Sequence, residues 1–187
     1  NVTGVQTCAL PIYLAGSIHL DLWGLSLIDT SDAPLAAFMW IIEHLFALRG
    51  VTNERPVVVY EEDSGIRAAR AFWFLEYLGH PNVRLLDGGL RSWTAAGQPT
   101  TTDVTAPTPS DWHGTRRADR LSTWSDVRAR LGDPGTALLD TRSAEEYYGE
   151  LVRARRGGAI PGGVHIEWKQ NLRADGTYKS IEDLRAM

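Results

Sequence analysis

Residues 57–89, VVVYEEDSGIRAARAFWFLEYLGHPNVRLLDGG, read as strand, tight loop, helix and second strand. The run from Pro56 to Tyr60 is β-branched and bounded by a proline and a charged loop, which marks a buried strand. From Ile66 to Leu78 apolar residues occupy most of the helical circumference, as in a helix covered on more than one side. Gly79 supplies a left-handed cap to that helix. VRLLDGG is the next strand with its exit turn. Strand, helix and strand over about thirty residues make a parallel βαβ unit with a right-handed crossover. In open α/β sheets the loop after such a strand is where chemistry is commonly placed. Here it opens with Glu61, Glu62 and Asp63 and contains no nucleophile.

Outward from this unit, APLAAFMWIIEHLFALRGV (33–51) has apolar residues at helical spacing, with Pro34 near its start and Gly50 past its end. YLAGSIHLDLWG (13–24) suggests a loop leading into a short strand. AAGQPTTTDVTAPTPSDWHG (95–114) is rich in Thr, Pro and Ala and lacks periodicity, as a linker between domains does. Beyond it, STWSDVRARLG is a short amphipathic helix, TALLDTR a strand and SAEEYYGEL another helix, in which Ser143 and Glu146 have capping-box spacing. The expected organisation is a first unit at 13–103, a linker at 104–121 and the start of a second unit at 122–187. AGSIHLDLW (15–23) and GGVHIEW (162–168) repeat one pattern about 146 residues apart, wider than solenoid repeats and suited to two copies of one domain. His19 and His165 fill the same slot of the repeat. A loop histidine held by backbone hydrogen bonds is the ordinary reading. Neither has a partner at metal-ligand spacing, so no metal is expected.

The net charge of −4 argues against a nucleic-acid partner. No apolar run approaches the roughly 18 residues of a membrane span, and MWIIEHLFAL is broken by Glu43 and His44. No charged segment precedes the first apolar residues, so a secretory leader is not expected and a cytoplasmic setting is the default. VTGVQTCALPI (2–12) reproduces one reading frame of a common sequencing-adapter oligonucleotide. Residues 1–12 are therefore read as an artefact joined to a gene fragment. The chain's one cysteine, Cys8, lies there; a single thiol invites a catalytic reading, and this one is set aside.

Four segments together resemble a tandem rhodanese, a sulfurtransferase of the thiosulfate or 3-mercaptopyruvate type. YLAGSIHLDL and GGAIPGGVHIEW are similar to the two copies of that family's GHIPGAVHI element. Residues 57–93 are similar to the central strand, active loop, helix and DGG…W of a first domain, and LLDTRSAEEYYGE to the start of a second. The resemblance implies rhodanese-like α/β domains with a mainly parallel sheet flanked by helices. The first would be nearly complete, lacking its opening strand, and the second would stop before its catalytic loop.

The resemblance also implies a chemistry. A cysteine seated at a helix N-terminus accepts sulfane sulfur from a small anionic donor and passes it to cyanide or a thiol, without a cofactor. In tandem members that cysteine belongs to the second domain. Glu61 stands where the first loop would carry it, which makes Glu61, Glu62, Asp63, Ser64, Gly65, Ile66 and Arg67 a degenerate loop, with Asp63 or Ser64 capping the helix. Asp140 and Arg142 match an Asp-x-Arg pattern, with two readings: orientation of the catalytic loop or an anion, or an ordinary ion pair. Glu145 and Glu146 leave thiosulfate preference open. A binding or regulatory module is the alternative to an enzyme. Nothing in the sequence bears on oligomeric state.

Overall fold

The computed structural model describes residues 12–22 and 24–187. Cys8 and the adapter-like stretch through residue 11 lie outside them, as does Trp23. Helix α1 spans Asp32–Ala47, strand β1 Val57–Val59, helix α2 Ile66–Tyr77, strand β2 Val83–Leu85 and helix α3 Gly89–Ala95. After a single 3₁₀ turn at Ala118–Arg120 come α4 at Trp124–Ala129, β3 at Leu139–Asp140, α5 at Ala144–Tyr148 and β4 at Val164–His165. A second 3₁₀ turn, Trp168–Asn171, precedes α6 at Ile181–Arg185.

β1 pairs in parallel with β2, and β3 with β4, so each unit is built on a two-stranded parallel sheet. In the first pair Val57 lies opposite Val83 and Val59 opposite Leu85. Val57, Val59 and Val83 pack against the core. Val58 and its partner Arg84 point the other way, and Val58 is 52% exposed. The strand is thus covered on one face only, a correction to the buried strand expected from its unbroken valine run.

That core is made by α1 and α2. Met39, Ile42 and Phe46 from α1 meet Ala71, Phe74 and Leu75 from α2, with Leu75 and Met39 fully buried. Both helices end in the same way. After α2, Gly79 N–H donates to Glu76 and His80 N–H to Leu75, with Gly79 at φ +78°, a Schellman cap. Gly50 closes α1 through the same pair of bonds.

Two segments differ from their reading. Leu20, Leu22, Leu25 and Leu27 lie in no strand; they pack against the core on either side of a turn in which Leu25 N–H donates to the Leu22 carbonyl at 3.2 Å and Gly24 has φ +79°. Their alternation serves burial without a neighbouring strand to pair with, while Tyr13 makes a lone antiparallel bridge to Thr101. Residues 104–121, expected as a linker, are strapped onto α1 and the segment after it. Trp112 is 5% exposed, stands edge-on to Phe46 and donates to Asn53 Oδ1 at 2.7 Å. Gly114 N–H and the His113 ring both reach the Glu43 carboxylate at 3.0 Å. An apolar indole in a Pro- and Thr-rich stretch anchors the strap where composition alone suggests a free tether.

Every residue after Trp112 is at least partly exposed. The second unit therefore has local caps but no buried core of its own. Thr123 and Asp126 form a reciprocal capping box on α4. On α5 only half of the expected box forms: Ser143 Oγ accepts from Glu146 N–H, while the Glu146 carboxylate pairs with Arg153 at 3.1 Å.

Candidate functional site

The loop between β1 and α2 is acidic because each acid holds a different part of the chain. Glu61 leaves the end of β1 and turns its carboxylate back over the N-terminus of α2. One oxygen, Oε1, accepts the N–H groups of Arg67 and Ala68, each at 2.9 Å. These are two of the four N–H groups that a helix leaves unpaired at its start, and the helix dipole favours negative charge there. Asp63 and Ser64 do not cap this helix, contrary to expectation. The residue at the cap is Gly65, whose lack of a side chain opens the way: a Cβ there would lie 2.7 Å from Glu61 Oε1.

Asp63 faces the opposite side of the loop. Its Oδ2 accepts from a terminal nitrogen of Arg91 at 3.0 Å. The buried Oδ1 lies 2.8 Å from Arg91 Nε, in ion-pair range but off the line of the N–H. Ser64 is buried, accepts from Gly88 N–H at 2.7 Å and donates to Asp87 Oδ1 at 3.4 Å. Glu62 is exposed, as are Ile66 and Arg67. The carbonyls of Glu61 and Glu62 accept the N–H groups of Leu90 and Arg91 at the start of α3, both at 2.9 Å. Helix α3 and its supporting role were not anticipated; the Gly88–Gly89 pair, read only as an exit turn, was the available signal.

A second element closes the loop mouth. Leu172 and Tyr178 bridge as an antiparallel turn, and Tyr178 N–H donates to Asp87 Oδ1 at 2.8 Å across 91 residues. Ser64, Gly65, Ile66 and Ala69 then line a narrow cleft of about 110 Å³ with Trp168, Asn171, Leu172 and Tyr178. Burial pushes the Tyr178 hydroxyl pKa up, with Asp87 and Glu61 adding to the shift.

Asp140 and Arg142 come together at the end of β3. Arg142 meets the carboxylate in a two-pronged pair, Nε to Oδ1 at 3.0 Å and Nη2 to Oδ2 at 2.6 Å. The same Nη2 reaches the Gly158 carbonyl at 2.9 Å, tying β3 to the loop before β4. His165 rests on Tyr147, ring centroids 4.5 Å apart, with Nε2 against the Arg142 carbonyl at 2.9 Å. The His165 ring is thus backbone-held, whereas at exposed His19 it is the carbonyl that receives Arg49. Among the described residues no group of His, Cys, Asp and Glu is arranged to hold a metal.

The Arg142 hydrogen bond, offset in part by burial, holds the Asp140 carboxyl below the usual carboxylate range. A lowered folded-state pKa stabilises the fold above the unfolded value of about 4, and the contribution fades as pH falls through the folded value. Asp140→Asn is therefore expected to cost about 1 kcal/mol or less at pH 7, because Arg142 is 43% exposed. The gap between wild type and variant is expected to close below about pH 4. Thermal unfolding of both proteins from pH 7 to pH 2.5 checks this.

The geometry is that of an α/β unit with a helix-terminal anion cradle after its first strand, filled by the chain's own carboxylate. Residues 12–96 match the family described as Rhodanese-like domain, and this stretch of the chain belongs to that family. It is 37% identical over 152 residues to "Sulfur carrier protein TtuD" of Thermus thermophilus, covering 74% of this chain and 53% of that protein. A Mycobacterium tuberculosis protein named "Putative thiosulfate sulfurtransferase" is 31% identical over 185 residues, 92% of this chain and 64% of its own length. Among solved structures, SseA of Escherichia coli, described under 3-mercaptopyruvate sulfotransferases, superposes with a TM-score of 0.76 at 24% identity. The match covers 95% of this chain and 67% of that one. The fold is the α/β rhodanese fold. The chain spans somewhat more than half the length of the two curated relatives.

No helix among the described residues is long and apolar enough to cross a membrane.

Proposed function

We propose that this chain is part of a sulfurtransferase whose first rhodanese-like unit is non-catalytic. In the whole protein a cysteine thiolate attacks the outer sulfur of thiosulfate or the thiol sulfur of 3-mercaptopyruvate. The donor's S–S or C–S bond to that sulfur breaks; sulfite leaves, or pyruvate leaves as its enolate and takes up the donor thiol's proton, and a cysteine persulfide remains. A thiophilic acceptor such as cyanide then takes the outer sulfur and returns the thiolate. The observation that carries this reading is the Glu61 carboxylate on the Arg67 and Ala68 N–H groups. The cradle that suits an anionic sulfur is present, but it is filled by a group too weakly nucleophilic to relay sulfur. Relatives named as sulfur carrier and thiosulfate sulfurtransferase support the chemistry for the whole protein. The pair Asp140 and Arg142 would brace β3 against the loop before β4, a positioning role.

Thiosulfate:cyanide transfer by residues 1–187 is expected at background, unchanged by Cys8→Ser, whereas the parent reading frame is expected to turn over. Turnover lost on Cys8→Ser would overturn the assignment. A parent protein without transfer activity would favour a non-catalytic binding module, a reading supported by the exposed apolar pair Leu139 and Val164, each 58% exposed and opposite one another in the sheet.

A further inference from the structure

Four observations converge on the turn after β2. Asp87 Oδ1 accepts Tyr178 N–H at 2.8 Å, a hydrogen bond that spans 91 residues. The same oxygen faces the hydroxyl of buried Ser64, whose position is set in turn by Gly88 N–H. The turn of the second unit presses against the loop: a Cβ on Gly88 would meet Thr177 Cγ2 at 3.0 Å, and one on Gly176 would touch Asp63 Oδ1 at 3.7 Å. Finally, Trp168, Leu172 and Tyr178 form one wall of the apolar cleft whose other wall is Ile66 and Ala69. These contacts matter more for a unit in which no residue is fully buried than they would for a self-sufficient domain.

We propose that Asp87 is an intrachain latch: its carboxylate holds the 172–178 turn over the acidic loop, so that this loop mouth is a docking socket for the second unit. The chemistry fits the occupant. A tight turn presents backbone N–H groups, and a carboxylate forms hydrogen bonds with such donors that are roughly twice as strong as neutral ones. Glu61 and Asp63, already engaged with α2 and Arg91, leave Asp87 as the acid that reaches across. The latch stands independently of any sulfur transfer by the whole protein.

Amide hydrogen exchange by NMR on the 187-residue chain tests it. In Asp87→Ala the Tyr178 amide is expected to exchange about tenfold faster or more, while Leu75 and Leu78 in and beside α2 keep their rates. In Asp87→Asn, which keeps an oxygen acceptor without the charge, the increase is expected to be about threefold. Tryptic cleavage after Arg173 is expected to accelerate in the same order. Unchanged Tyr178 exchange in Asp87→Ala would overturn the latch, as would Tyr178 and Leu75 accelerating together. If the alanine variant does not fold, Asp87→Asn carries the test: a Tyr178 rate equal to wild type then overturns the proposal.

Discussion

Gly89→Ala is expected to destabilise the chain by about 3 kcal/mol, combining the left-handed backbone penalty with overpacking. Gly89 has φ +58°, where an L side chain crowds the following carbonyl. A methyl group there would also lie 2.5 Å from the Glu61 carbonyl oxygen and 2.8 Å from that of Glu62. These two carbonyls are the ones that Leu90 and Arg91 hold, so the loop cannot retreat without losing its bonds to α3. Gly97→Ala is the matched control. It shares a left-handed backbone, φ +68°, but a Cβ there meets nothing within 4 Å, and about 1 kcal/mol is expected. Urea titrations of both variants check the difference; equal midpoints would show that the loop yields to the methyl group.

Leu75→Ala is expected to cost about 2–5 kcal/mol, the range for truncating a fully buried leucine. Leu75 is 0% exposed and sits where α2 meets α1. Its carbonyl also accepts His80 N–H in the cap of α2, so collapse around the cavity is resisted by the helix end. Ile66→Ala, at the first position of α2 and 55% exposed, is expected to stay within about 0.5 kcal/mol of wild type. Thermal or urea unfolding followed by circular dichroism separates the two. A small effect at Leu75 would mean that the α1–α2 interface repacks freely.

The βαβ unit was legible because its signals are local. A valine run, a helix apolar on most sides and a glycine at each helix end specify their elements through nearest-neighbour sterics, and Gly50 and Gly79 adopt the left-handed caps that their positions require. The short second-unit elements were legible for the same reason, since Thr123 and Ser143 cap α4 and α5 through bonds to N–H groups three residues on. The strap at 104–121 was less so. Its one buried residue, Trp112, finds its pocket beside Phe46, 66 residues earlier in the chain, and no window on the sequence contains both.

The candidate site divides along the same line. The run of acids, the absence of a thiol between Tyr60 and Arg67 and the Asp-x-Arg pair are properties of composition and order, readable without coordinates. Which acid caps α2 is not. Glu61, Asp63 and Asp87 carry the same charge, and only folding decides that Glu61 turns back to Arg67 and Ala68, Asp63 out to Arg91, and Asp87 across to Tyr178. Local covalent geometry encodes helices, strands and caps; the partner of a charged group depends on which backbone or side-chain donors the packed fold brings to about 3 Å from it, and that is settled by the tertiary structure alone.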